Sequence, residues 1–402
     1  MSPAARRLFG TDGIRGPAGA GPLSPEAVLA LGRAAAAAVR AGRPRGARPP
    51  RALLGRDTRP SGPMVAGAMA AGLRAGGVAV EDAGVIPTPA VALLVRRRRF
   101  DLGVAVSASH NHAGDNGVKL LGPDGEKAPD SLERAVEAGL PAARRARGPV
   151  PGGPARGRPR PGAAEEYAEA VLGEFRGLSL RGLRVVVDGA EGAASATAPE
   201  VLRRLGAEVH AVRCSAEGAR INEGCGALHP EAAGRAVRRR RARLGIALDG
   251  DGDRVALLDE RGRPRDGDDF LAAMAPRLQA LGRLPGNAVV GTVMCNGGLD
   301  AHLRRHGIGL VRVPVGDRFV AEAMRERGLV LGAEPSGHVL LPRPGGLLTA
   351  DGLVTALHVA REMARTGLAL SDLLRGFRRV PRAEAASNMI FSNGVRSVSS
   401  SR

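Results

Sequence analysis

Short apolar runs and amphipathic segments take turns along most of this chain, and that alternation restricts the fold more than any other feature. Residues 52–55, 78–81 and 102–106 read as strands, with 64–75 and 90–97 as the helices between them. This is the pattern of βαβ units laid into a sheet with helices on its faces. A helix from Ser24, a fitting N-cap, to Val39 comes first, and 43–51 reads as a loop. The rhythm restarts with a helix at 163–175 and a strand at 183–187, then runs through 198–205, 209–212, 230–243, 245–248 and 255–258. It opens a third time near Asp268, with segments 268–281, 288–294, 299–306, 310–313, 318–327 and 329–331. In such sheets ligands are met by the loops that follow the carboxyl ends of strands. A chain of 402 residues is too long for one core and implies two to four domains. The stretch 144–162, RRARGPVPGGPARGRPRPG, is too rich in Pro, Gly and Arg to pack and reads as the linker that closes the first.

Composition removes several classes of protein. With one Tyr, seven Phe and no Trp, the interior must be built from Ala, Val and Leu, which suits β-α units better than an aromatic-rich sandwich. Cys214, Cys225 and Cys295 are far apart and form no CxxC, so neither a zinc site nor a disulfide framework is indicated and a reducing cytoplasm fits. The formal charge of +19 invites a nucleic-acid reading, but the arginines are spread along the whole chain with almost no aromatics among them. Runs such as 96–99 and 238–241 fall at the ends of expected helices, where solvated faces are the ordinary outcome. The amino terminus has no hydrophobic core of a signal peptide, and no apolar run is long enough to cross a membrane. A cytoplasmic protein without nucleic-acid or membrane partners is expected.

Three loops carry the chemistry. In VAVSASHNHAGDNGVKL, 104–120, a buried strand delivers Ser107 and Ser109 to a polar turn that also holds His110 and Asn111. Of the 59 basic residues only two are lysine, Lys119 and Lys127, both just past this turn. A partly buried lysine can release its proton where arginine cannot, which makes Lys119 a candidate acid/base. The second loop, Asp249-Gly250-Asp251-Gly252-Asp253-Arg254, alternates three carboxylates with glycines. Their mutual repulsion calls for a cation, and hard oxygen ligands select Mg²⁺ or Ca²⁺. An EF-hand is excluded, since its sixth position is Arg254 rather than Gly and 255–258 continues as a strand. The third loop, 332–338, offers Glu334, Ser336 and His338, a carboxylate, a hydroxyl and an imidazole that suit sugar hydroxyls or, equally, a capped turn. FGTDGIRG, 9–16, presents Arg15 between Gly13 and Gly16 in a Gly-rich turn, where a guanidinium can approach a phosphate.

Taken together, FGTDGIRG, SASHN at 107–111 with DNGVK at 115–119, DGDGDR at 249–254 and EPSGH at 334–338 resemble the α-D-phosphohexomutase superfamily, and within it the bacterial phosphoglucosamine mutases. INEGCG at 221–226, VGDRFV at 315–320 and TADGLV at 349–354 extend the resemblance over residues 6–381. It implies an α/β fold of three consecutive mixed α/β domains, 1–155, 156–262 and 263–380, followed by an atypical tail, 381–402.

The resemblance further implies that Ser109 carries a transferable phosphate. It would be given to glucosamine 6-phosphate, forming glucosamine 1,6-bisphosphate, with glucosamine 1-phosphate as product for UDP-N-acetylglucosamine and cell-wall synthesis. Mg²⁺ would be held by Asp249, Asp251, Asp253 and the Ser109 phosphate. Lys119 and Arg15 would surround the reacting oxygens, Glu334 and Ser336 would hold the sugar, and His338 would bind substrate or handle protons. The partner expected is a small phosphosugar, and a homodimer is admitted. The alternatives are a phosphomannomutase or phosphoglucomutase, or an inactive phosphosugar-binding product.

His112, Pro335 and the Ala227-Leu228 pair depart from the usual proline, glutamine and Ser-Thr of the family and bear on loop geometry. Larger still, the family's fourth domain, with an RPSGTEP-like loop that clamps the sugar phosphate, has no counterpart after Pro381. Losing about three charge-assisted hydrogen bonds, each on the order of 1.5–3 kcal/mol, removes several kcal/mol of substrate binding. Steady-state assay of the 402-residue chain is therefore expected to give strongly reduced turnover, with metal binding retained; a full rate would overturn that expectation.

Overall fold

The structure, a computed structural model, describes residues 8–44, 46–146 and 157–381. Most of the expected linker (147–156) and nearly all of the expected tail (382–402) lie outside the described residues. Three sheets follow one another along the chain.

The first is built from β1 (Ile14–Pro17), α1 (Pro25–Ala41), β2 (Arg51–Arg56), α2 (Gly62–Ala75), β3 (Ala79–Val85), α3 (Thr88–Arg98), β4 (Leu102–Val106), β5 (Asp115–Leu121), α4 (Asp130–Arg145) and β6 (Arg158–Pro159). Its strand order is β1-β5-β4-β2-β3-β6. The second contains α5 (Ala163–Glu174), β7 (Arg184–Asp188), α6 (Thr197–Arg204), β8 (Glu208–Val212), α7 (Glu231–Arg240), β9 (Leu244–Leu248), β10 (Val255–Leu258) and β11 (Pro264–Arg265), ordered β11-β10-β9-β7-β8. The third has α8 (Gly267–Ala280), β12 (Ala288–Thr292), α9 (Gly297–Arg305), β13 (Gly309–Val313), α10 (Asp317–Arg327), β14 (Gly332–Ala333), β15 (Val339–Pro342), β16 (Leu348–Ala350), α11 (Gly352–Thr366) and α12 (Leu370–Leu373), ordered β13-β12-β14-β15-β16.

Each sheet is parallel on one side and turns antiparallel on the other. The changeover comes at β4–β5, β9–β10 and β14–β15. The loops joining those three pairs are 107–114, 249–254 and 334–338, the three segments that the sequence marks as chemical. The same step of the same plan, taken three times, puts all of them at the carboxyl end of a parallel strand.

The helices follow from local chemistry. Ser24 caps α1, its Oγ accepting from Ala27 N at 3.2 Å, and Pro25 fills the first position, where no N–H is needed. Strand β4 is buried along its whole length, as its continuous apolar run requires. Three expectations shift. FGTDGIRG is not wholly a turn, because its last residues form β1, which pairs Arg15 with Gly117 of β5. The strand expected at 329–331 lies three residues later, at Gly332–Ala333, where small residues fit between β12 and β15. Helices α4 and α11 were not singled out by the alternation; Asp351 starts α11 by accepting from Val354 N at 3.0 Å.

The sheets share one continuous apolar core, running from Leu53 and Val91 through Val171 and Val185 to Phe270 and Leu357. A polar weld reinforces it. The chain's one tyrosine, Tyr167 on α5, donates to Asp351 Oδ2 at 2.9 Å. Buried Arg343 bridges Asp351 at 2.6 Å and Glu174, also on α5, at 2.6 Å. The first and second sheets meet where Thr58 Oγ1 donates to Glu191 O at 2.6 Å and Gly218 packs on the Thr58 carbonyl. A methyl group at Gly218 would occupy the space of that carbonyl oxygen. Gly218→Ala is expected to lower stability by about 1–3 kcal/mol, the usual cost of overpacking, read as a lower first unfolding transition in calorimetry.

Candidate active site

Strand β4 ends at Val106, and the two serines that follow have different tasks. Ser107 Oγ donates to Asp57 Oδ2 at 2.6 Å and accepts from Ser109 N at 2.8 Å, so its hydroxyl is used up in shaping the turn. Ser109 adopts a left-handed backbone, φ 52°, a conformation that costs a non-glycine residue about 1–3 kcal/mol. Its Oγ is thereby aimed out of the first domain and donates to Asp249 Oδ2 at 2.6 Å.

The strained turn is held from both sides. Arg59, 1 % exposed, ion-pairs with Asp57 at 2.9 Å and donates to the carbonyls of Ser109 (3.0 Å), Asn111 (2.8 Å) and Asp115 (2.9 Å), and also to that of His112. From the second domain, Asn222 Nδ2 donates to the Ser109 and Asn111 carbonyls, each at 2.9 Å. Sequence reasoning gave Asp57 and Arg59 no role and carried Asn222 only inside INEGCG. The available signal was an Asp-Thr-Arg run directly after an apolar strand, a place where a paired arginine can afford burial.

Asp249, Asp251 and Asp253 are buried, with carboxylate oxygens all within 4.8 Å of one another. Asp249 Oδ1 accepts from the amides of Gly252 and Arg254, both at 3.1 Å. Asp251 Oδ2 accepts from Thr88 Oγ1 at 2.6 Å and from Lys119 Nζ at 2.8 Å, while its buried Oδ1 has no hydrogen-bond partner among the described residues. Asp253 accepts from Lys119 at 2.8 Å. Burial, then Asp253 and Asp251, push Asp249 up to about 7. Burial acts in the same sense on Asp253, but Lys119 and His338 more than offset it and hold that carboxyl well below the usual range. Among the described residues Asp249 accepts from a hydroxyl and two backbone amides but from no charged side chain, and one Asp251 oxygen is left unpartnered. The donor set fits a hard divalent cation.

Lys119 reaches the triad because β5 runs back along β4, Lys119 opposite Ala105. Burial pulls its pKa down, yet Asp251 and Asp253 outweigh that and hold it above the ordinary lysine value, so without a metal the group is a fixed ammonium. Arg15 ion-pairs with Asp12, and its buried Nε has no hydrogen-bond partner among the described residues. Burial, then Arg254 and Arg15, push His110 down to about 4, which leaves a neutral imidazole beside Ser109.

The third loop closes the site. Glu334 Oε1 accepts from Gly316 N at 2.9 Å, and Oε2 meets His338 Nδ1 at 3.0 Å. His338 Nε2 lies 3.2 Å from Asp253 Oδ1. Burial lowers its pKa, but Asp253 and the hydrogen bond with Glu334 together more than offset that and hold it above the ordinary histidine value. Ser336 stands exposed at the tip of the turn. Arg15, Ser109, Lys119, the three aspartates, Glu334 and His338 thus form one connected cluster drawn from all three domains, with Ser336 at its rim.

Residues 6–146, 165–262 and 266–380 match, in order, the α/β/α domains I, II and III of phosphoglucomutase/phosphomannomutase. These matches define the class, a phosphohexomutase. A phosphoglucosamine mutase from Symbiobacterium thermophilum is 49% identical over 381 residues, covering 93% of this chain and 83% of its own length. The chain belongs to the phosphoglucosamine mutases, which are isomerases. Among solved structures, a phosphoglucomutase/phosphomannomutase family protein from Burkholderia thailandensis superposes with a TM-score of 0.78 at 28% identity, covering 93% of this chain and 80% of that one. The N-acetylphosphoglucosamine mutase of Aspergillus fumigatus, solved with GlcNAc-6P and magnesium, shares the fold at a TM-score of 0.54 and 18% identity over 93% of this chain and 80% of that one.

With Asp249 at about 7 in the metal-free site, a divalent cation must displace a proton at lower pH. Calorimetric titration with Mg²⁺ is expected to show affinity rising by up to about tenfold per pH unit from 5 to 7 and levelling above 7. Asp249→Asn should weaken binding and flatten that dependence.

Proposed function

We propose that this chain interconverts glucosamine 6-phosphate and glucosamine 1-phosphate through a phosphate carried on Ser109. The observation that carries this reading is the Ser109 hydroxyl, aimed by a strained backbone at Asp249 on the edge of the carboxylate triad. A hydroxyl so placed, with Lys119 and Arg15 nearby, suits a phosphoryl group that must be held, transferred and taken back.

On this reading phospho-Ser109 gives its phosphoryl group to the free hydroxyl of the sugar phosphate, and the serine oxygen keeps the bonding pair. The resulting glucosamine 1,6-bisphosphate turns over in the cleft and returns its other phosphoryl group to Ser109. Asp249, Asp251 and Asp253 would hold Mg²⁺ together with a phosphate oxygen, and the ion would supply charge neutralisation to the transferring group. Arg15 Nε, without a hydrogen-bond partner among the described residues, is a ready donor to the phosphate. Glu334 and Ser336 hold sugar hydroxyls, with the Glu334 carboxylate fixed by Gly316 and His338. Lys119 is held charged by Asp251 and Asp253; were a cation held there to neutralise those carboxylates, Lys119 would be suited to take and return the hydroxyl proton. No helix among the described residues is long and apolar enough to cross a membrane. On this reading the protein works in the cytoplasm on a precursor of the cell wall; its three cysteines are free, and burial pushes each up to about 12.

Protein labelled with ³²P on Ser109 tests the proposal. Label is expected to pass to glucosamine 6-phosphate faster than to glucose 6-phosphate or mannose 6-phosphate. Ser109→Ala should abolish labelling, and Lys119→Met should slow transfer by about 10²–10⁴, the range of general acid–base catalysis. Label that stays on the protein with every sugar, or leaves fastest to mannose or glucose 6-phosphate, rules the assignment out.

A further inference from the structure

Lys127 has no part in the chemistry above, yet its ammonium is the junction of two domains. It donates to Asp12 Oδ1 at 2.8 Å and to Asp317 Oδ1 at 2.6 Å, and lies 3.4 Å from Thr11 O. Asp12 belongs to the FGTDGIRG loop of the first domain and also faces Lys119 Nζ at 3.4 Å. Asp317 opens α10 of the third domain, directly after Gly316. Gly316 is the residue whose amide donates to Glu334, and its φ of 133° is one that glycine alone adopts readily. Lys127, Asp317, Lys119 and Asp253 line one cavity of about 240 Å³ between the domains.

We propose that Lys127 is a positioning residue that clasps Asp12 to Asp317 and thereby fixes the Gly316 amide that aims Glu334 at the sugar. The proposal rests on the mutase reading for the identity of that sugar. Nearby cations do not replace the clasp. Arg318 is engaged by Asp130 and by Glu133 at 3.1 Å, and Arg325 by Glu126. The residue type fits the task too. A compact ammonium meets acceptors converging from several directions, whereas a guanidinium presents a flat fork. In a chain with 59 basic residues and only two lysines, both lysines bridge carboxylates of different domains and both face Asp12.

The test is a double-mutant cycle on the full chain with Lys127→Met, Asp317→Asn and the pair, assayed by steady-state kinetics and by calorimetric binding of glucosamine 6-phosphate. Each single variant is expected to raise KM and Kd about tenfold or more while kcat stays within about threefold, because the grip on the sugar is lost equally in ground and transition states. Mg²⁺ affinity should stay within about twofold of the wild type, and the double variant should be no worse than the singles, since one shared contact is removed. A Lys127→Met chain whose KM and Kd both match the wild type overturns the clasp, as does a double variant in which the two losses multiply. Asp317→Asn, at the solvent-touched end of α10, provides the same readout if Lys127→Met fails to fold. If the wild type binds the sugar phosphate but exchanges no label, the mutase reading alone falls, and the Kd values still decide the clasp.

Discussion

Repulsion among Asp249, Asp251 and Asp253 is the constraint on which the rest of the molecule depends. Three buried carboxylates with ligand oxygens within 4.8 Å of one another cannot all be charged without compensation, and the second domain's own contribution is Arg254 and two loop amides. Compensation comes from elsewhere. The first domain sends Lys119, Thr88 and the Ser109 hydroxyl, and the third sends His338. The backbone adds a further tie between the second and third domains, since the first amide of α11, at Gly352, donates to the Gly252 carbonyl at 3.0 Å. What would unfold an isolated loop becomes the point at which three domains are drawn together.

The alternating segments were legible because a buried strand must be apolar along its length and the helices beside it amphipathic, so 102–106 and 255–258 were read with their observed bounds. The chemical loops were legible for a related reason: each interrupts an apolar run with residues that no core would accept. What escaped was set by contacts distant in sequence. Ser107 and Ser109 look alike until Asp57, fifty positions away, engages one of them. Arg59 and Lys127 look like surface charge in so basic a chain, and only the fold supplies the carbonyls and carboxylates that surround them. Strand β1 carries too little apolar residue to show itself, because its pairing with β5 is backbone work.

The threefold recurrence of the parallel-to-antiparallel changeover is invisible in the residues themselves. SASHN, DGDGDR and EPSGH share no side-chain pattern, yet each occupies the hairpin that follows the last parallel strand of its sheet. A common backbone plan has been fitted with a serine hydroxyl, three aspartates and a glutamate-histidine pair. The glycines permit this convergence. Gly250 lies so close to the Ser109 carbonyl and to Asn222 that a side chain there would push the serine turn away from the aspartate loop.

An apolar core joins the three sheets, and the weld of Tyr167, Asp351, Arg343 and Glu174 ties the second to the third. A reaction that must present first one end and then the other of a two-ended molecule to a single serine has two options: swing the catalyst or turn the reactant. On the proposed route the half-turn belongs to the bisphosphate, and the cleft must be wide enough to let it tumble yet charged enough to keep it from escaping.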